Sequence, residues 1–166
     1  MLGADTPIVR AMPNTPAAVA QGITAIVGNK ATTATHLNAA QALLEAVGTV
    51  VRLKSENQID AVTGVSGSGP AYVFHLIECL AAAGEGQGLA PELAMQLAKA
   101  TVAGAGALAI ASSETPSQLR VNVTSPNGTT QAGLDELMDS DRGLPPLIRR
   151  TVAAATNRSK ELARDA

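Results

Sequence analysis

The spacing of apolar positions changes part-way along this 166-residue chain. Near the start they come in short, β-branched runs: Ile8–Met12, Gly22–Gly28 (GITAIVG) and Thr49–Leu53 (TVVRL). Each is bounded by glycine, proline or polar residues, which predicts three strands. Between the second and third, Thr32–Val47 puts Leu37, Ala40, Leu44 and Val47 on one face of a helix. A strand–helix–strand unit is a crossover that normally extends an existing sheet. Three strands make a poor sheet by themselves, and an apolar strand at Ile8 has nothing before it to pair with. Residues 1–54 are therefore expected to be the tail of a larger α/β domain.

From Ser55 onward the period is helical. Glu56–Val62 predicts a short helix or turn. Pro70–Ala83 carries Val73, Leu76, Ile77 and Leu80 as one stripe, and would span about 20 Å at the helical rise. Gly84-Glu85-Gly86-Gln87-Gly88 breaks the run as a loop. Pro91–Ser112 is the next predicted helix, with proline at its first position. Its second half, Thr101–Ala111 (TVAGAGALAIA), is apolar all round and should be buried all round. A domain of this size has difficulty surrounding such a helix, so a partner chain wrapped against it is expected. Two short helices, Pro116–Val121 and Pro126–Met138, precede a last one over Pro145–Ala163, with Ile148, Val152, Ala155 and Leu162 inward. The predicted fold class is mainly α: an all-helical domain over 55–166, expected to form a homodimer, preceded by a β-α-β unit.

Composition narrows the function classes. Apolar residues are 46% and charged residues 16%, enough to bury a core and too apolar for disorder. Tyr72 and Phe74 are the only aromatic residues, so helices must pack through Ala, Val, Leu and Ile. A net charge of -2 without a basic stripe argues against a nucleic-acid partner. The basic residues of the tail (Arg149, Arg150, Arg158, Lys160, Arg164) read as a solvated helix face. The longest uncharged run, between Lys99 and Glu114, falls short of the ~20 residues of a membrane span, so no membrane partner is expected. Cys79 is the single cysteine, and reads as a small core residue in a reducing, cytoplasmic setting. Residues 1–7, with Asp5 and Pro7, do not resemble a secretion signal. His36 and His75 lie on helices and are read as having no partners at metal-ligand spacing, so no metal site is expected. Ser66-Gly67-Ser68-Gly69 lacks the phosphate-loop pattern and reads as a tight turn into the Pro70 helix.

The most informative stretch is Thr115–Leu137. Ser125 followed by Pro126 is a helix-start signal, a capping residue and then proline at the first helical position. Amides of Asn127, Gly128 and Thr129 would then be free at a helix N-terminus, where a carboxylate or phosphate can bind. Gly128 allows close approach, and Thr129 and Thr130 add hydroxyls. On these residues alone, an ordinary capped helix is the simpler reading.

Three ordered motifs reverse that weighting. The first is Arg10-Ala11-Met12-Pro13-Asn14-Thr15-Pro16. The second is Asp60-Ala61-Val62-Thr63-Gly64-Val65-Ser66-Gly67-Ser68-Gly69-Pro70-Ala71-Tyr72. The third runs from Pro116 and Leu119 through Val123-Thr124-Ser125-Pro126 to Gly128, Thr130, Gly133-Leu134 and Leu137. Together they resemble the pyrroline-5-carboxylate reductases. Asn127 departs from the family's usual Gly, and asparagine is among the residues that best tolerate unusual backbone angles.

The resemblance implies that residues 1–54 are the remnant of a dinucleotide-binding Rossmann domain and 55–166 the helical dimerisation and substrate domain. It implies reduction of the C=N bond of 1-pyrroline-5-carboxylate to L-proline with NADPH or NADH. It further implies that Ser125, Asn127, Gly128, Thr129 and Thr130 hold the substrate carboxylate, with Thr130 as the catalytic hydroxyl near the ring nitrogen. Met12, Pro13 and Asn14 would lie beside the nicotinamide. A G-x-G-x-x-G turn after a strand is absent, so the main cofactor-binding part is expected to lie outside this chain, leaving the chain alone inactive. Two other readings stay open: a non-catalytic helical oligomerisation module, and the helical domain of another Rossmann-type reductase of a small acid.

Overall fold

The computed structural model describes residue 3 and residues 5–164; the reading of residues 1–7 as free of a secretion signal lies partly outside them. The chain divides into two compact units, residues 1–70 with 150–166, and residues 71–149.

The first unit is built on a sheet of three strands, β1 (Val9–Met12), β2 (Gly22–Gly28) and β3 (Gly48–Arg52), in the order β1-β2-β3. β2 and β3 are parallel and joined by α1 (Ala34–Leu44), the expected crossover. β1 runs antiparallel to β2, pairing Val9 with Gly28 and Met12 with Ala25. Thr24, Ala25, Ile26 and Val27 are buried in succession, the mark of a central strand covered on both faces. α1 is opened by a capping box: Thr33 N–H donates to His36 Nδ1 at 3.1 Å. His36 is thus an N-terminal capping partner of its own helix.

After β3 the chain passes through a 3-10 turn (Glu56–Gln58) into α2 (Ile59–Val62), which anchors through fully buried Ile59. The predicted tight turn at 66–69 is instead part of a widened helical turn. Thr63–Gly67 is π-helical, and Ser68 N–H donates to Thr63 C=O at 2.8 Å, a span of five residues. Its tightest neighbour is the end of α7 (Leu144–Arg164). A Cβ on Gly64 would lie 2.4 Å from Thr156 Oγ1, so only glycine permits this approach. Ser159 Oγ donates to Asp60 Oδ1 at 2.7 Å and ties the same two segments together.

The second unit is helical. α3 (Gly69–Gly86) runs into it and α4 (Pro91–Ala111) follows, with α5 (Pro116–Asn122), α6 (Thr129–Leu137) and the start of α7. α3 continues through Gly84 to Gly86, so the glycine-rich break falls three residues later than its first glycine suggests. The buried centre is small: Ala81 against Ala94 and Ala98, with Ile77 and Met95 beside them. Cys79 is exposed rather than in the core. Two residues from Ala81, it faces away from the α3 side that meets α4. The Thr101–Ala111 half of α4 is not enclosed by its own chain, and Ile110 is 83% exposed. By length and composition α4 could cross a membrane, but Glu92 and Lys99 interrupt its apolar surface.

Candidate functional site

The residues expected to hold the substrate carboxylate lie together in the second unit: Ser125, Asn127 and Gly128 between α5 and α6, and Thr129 and Thr130 at the start of α6. Thr115 caps α5, its hydroxyl accepting from Gln118 N–H at 3.2 Å. α5 ends where Thr124 Oγ1 donates to Arg120 C=O at 2.6 Å. The chain then turns before the next helix can start. Gly128 N–H donates to Ser125 C=O at 3.0 Å, and Asn127 sits in the left-handed region with φ of 59°. Proline second and a left-handed residue third is a turn sequence, and asparagine is among the few non-glycine residues suited to that third position.

This turn moves the helix start. α6 begins at Thr129, not Pro126, and its cap is Gly128, with no side chain accepting from the first amides. The first helical bond is Ala132 N–H to Gly128 C=O at 3.2 Å. The amides left without an acceptor in the first turn are therefore those of Thr129, Thr130 and Gln131, while the Gly128 amide is taken by the turn. Ser125, Asn127, Thr129 and Thr130 are exposed and Gly128 is half-buried. No described residue engages the Thr129 or Thr130 hydroxyl. The arrangement is an open anion-accepting helix end with two hydroxyls in its first turn.

Met12, Pro13 and Asn14 lie together in the first unit, at the C-terminal end of β1. Met12 is half-buried and its methyl rests on Gly67, where a Cβ would lie 2.5 Å from it. Asn14 is committed on both sides of its amide. Oδ1 accepts from Ile23 N–H at 2.9 Å, and Nδ2 donates to Ser66 C=O at 3.2 Å. One N–H and one lone pair of that amide are left over.

The chain matches the family model described as "Pyrroline-5-carboxylate reductase dimerisation" over residues 56–162. The chain belongs to the pyrroline-5-carboxylate reductase family. It is 45% identical over 162 residues to the pyrroline-5-carboxylate reductase of Pseudomonas aeruginosa, covering 98% of this chain and 59% of that relative. Among solved structures, the pyrroline-5-carboxylate reductase of Coxiella burnetii superposes with a TM-score of 0.92 at 42% identity, over 97% of this chain and 59% of that one. The pyrroline carboxylate reductase of Plasmodium falciparum, solved with NADP bound, gives 0.85 at 33% identity, over 97% of this chain and 60% of that one. The chain thus spans about three-fifths of the length of the reductases it matches.

Two features escaped the sequence reading. His75, expected to be without partners, lies with Nδ1 3.0 Å from Glu78 Oε2 and Nε2 3.6 Å from Cys79 Sγ. Spacings of three and four residues on one helix would have revealed it. All three side chains are exposed, and among the described residues no group of three His, Cys, Asp or Glu is arranged to hold a metal. The acidic stretch after α6 also has local structure. Asp139 Oδ1 accepts from Arg142 N–H at 2.7 Å and Asp141 N–H at 2.9 Å. Those two backbone bonds hold the Asp139 carboxyl below its ordinary pKa.

Proposed function

We propose that this chain is the substrate-holding and subunit-pairing portion of a cytoplasmic enzyme that reduces 1-pyrroline-5-carboxylate to L-proline with NADPH or NADH. The observation that carries this is the Ser125–Thr130 loop. A family-matched segment turns at Asn127 and leaves the amides of Thr129, Thr130 and Gln131 open at the start of α6. The substrate carboxylate would sit on those amides and on the dipole of α6, beside Ser125, Asn127 and Gly128. A held carboxylate fixes the ring in space, which by itself supplies much of the rate. Thr130, one turn-position further on, would donate its hydroxyl to the ring nitrogen as electron density builds there, and serves as the catalytic residue.

The cofactor, when bound, supplies the hydride. Met12, Pro13 and Asn14 suit its nicotinamide end: the spare N–H and lone pair of Asn14 match a carboxamide. They do not suit its pyrophosphate. Among the described residues the β2-to-α1 turn offers Gly28 and no glycine-rich phosphate cradle, and the segments that follow β1 and β3 into helical turns hold no glycine. The chain alone is therefore expected to bind NAD(P)H weakly and to turn over nothing. The exposed apolar surface of α3 and α4, with Leu76, Leu80, Leu97 and Ile110, supports a homodimer.

The test is absorbance of NADPH with pyrroline-5-carboxylate, for the chain alone and fused behind the N-terminal two-fifths of the Pseudomonas aeruginosa relative. Turnover is expected only from the fusion. Thr130→Ala in the fusion should lower kcat by about a hundredfold and leave the circular dichroism unchanged. Full activity in that variant would remove Thr130 from the mechanism, and turnover by the chain alone would overturn the division of labour.

A further inference from the structure

Resting on the reductase reading, the geometry points to Asn14 as a positioning residue: its side-chain amide replaces a helical donor that Pro70 removes, and so holds the end of β1 against the π-helical turn. In the four-residue register of α3, which starts at Gly69 as the π-helical turn ends, the carbonyl of Ser66 would accept from the N–H of residue 70. That residue is proline and has none. A half-buried carbonyl left unpaired is costly. Asn14 Nδ2, from 52 residues earlier in the chain, donates to it at 3.2 Å. The same amide's Oδ1 is fixed by Ile23 N–H at 2.9 Å, at the start of the central strand. One side chain thus joins the β1 end, the β2 start and the π-helical turn.

What this junction positions is Met12. Its methyl group lies where any side chain at Gly67 would have to be, 2.5 Å from an added Cβ. The π-helical turn sets that contact, because its extra residue rotates Gly67 relative to an ordinary helix. Beyond the spare N–H and lone pair that suit a carboxamide, Asn14 therefore also acts through Met12, fixing the edge that the reductase reading assigns to the nicotinamide. The contacts all lie within the first unit. Glycine at 67 and proline at 70 follow from one device: the first admits Met12, and the second frees the carbonyl that Asn14 takes.

The test uses the full chain labelled at its methionine methyl groups. The Met12 methyl should show a magnetisation-transfer contact to the Gly67 α protons. Asn14→Asp keeps the acceptor for Ile23 but loses the donor to Ser66, and should abolish that contact while circular dichroism stays unchanged. Pro70→Ala restores a backbone N–H for the Ser66 carbonyl, so Asn14→Asp should disturb Met12 much less in that background. A purely structural asparagine would give equal effects in both backgrounds, which overturns the inference, as does a Met12 methyl unmoved by Asn14→Asp. In the fusion described above, Asn14→Asp should lower kcat by about tenfold with the KM for NADPH changed less than about threefold. An unchanged kcat with a displaced Met12 methyl also overturns it. A fusion without turnover before substitution would instead overturn the reductase reading, and the methyl contact would still decide the role of Asn14.

Discussion

The two units solve the problem of burial differently. In the first, β2 is covered on both faces and Ile26 is 0% exposed, and Ile59 of α2 is buried as fully. In the second, the only fully buried side chains are three alanines, while Leu76, Leu80, Leu93, Leu97 and Leu108 stay at least two-fifths exposed. Alanine lets α3 and α4 approach closely but removes little apolar area from water. The first unit therefore holds its own core. The second keeps its large side chains for another surface, in agreement with a family model described by dimerisation. An uncharged helix is thus compatible with exposure in the single chain: Thr101–Ala111 predicted burial, and its own chain does not supply it.

The largest effect should come from the closed core. Ile26→Ala removes a fully buried side chain and should cost about 3 kcal/mol, at any protein concentration. Denaturant unfolding at two concentrations measures it; a cost that fell as protein concentration rose would show that the first unit, too, depends on a partner. Next in size is a change on the open surface. Ile110→Glu, at a residue 83% exposed in the single chain, should convert the proposed homodimer to a monomer by light scattering. Melting should then lose its dependence on protein concentration while helix content holds. A dimer unaffected by this change would place the interface away from the end of α4.

The smallest effect is electrostatic and local to the second unit. The Asp139 carboxyl is held below its ordinary pKa by the Arg142 and Asp141 amides. A carboxyl with a lower pKa folded than unfolded adds stability above its unfolded value. That stability is lost as pH falls through the folded value. Asp139→Asn should therefore flatten the acid limb of stability below about pH 4 and change little at neutral pH. An acid limb identical in both proteins would mean that the two amide bonds contribute nothing to folding.

Near-neighbour chemistry made much of this molecule legible in advance. Prolines at 91 and 116 open α4 and α5 as expected, and the β-branched runs become β1, β2 and β3 within a residue or two. Resemblance singled out the Ser125–Thr130 stretch in advance, but its helix start was misplaced by three residues. Ser125-Pro126 serves equally well as the beginning of a turn or of a helix, and the left-handed Asn127 decided for the turn. Such choices depend on one or two residues of backbone geometry that apolar spacing does not record.

The folded path decided the rest. Nothing in local pattern shows that β1 lies antiparallel to β2, because a strand's period is the same in either direction. Nor does it pair Asn14 with Ser66, Met12 with Gly67, or Ser159 with Asp60. Periodicity reports interactions between residues a few positions apart. These contacts join residues 52, 55 and 99 positions apart, and exist only once the sheet and the end of α7 have brought the segments together.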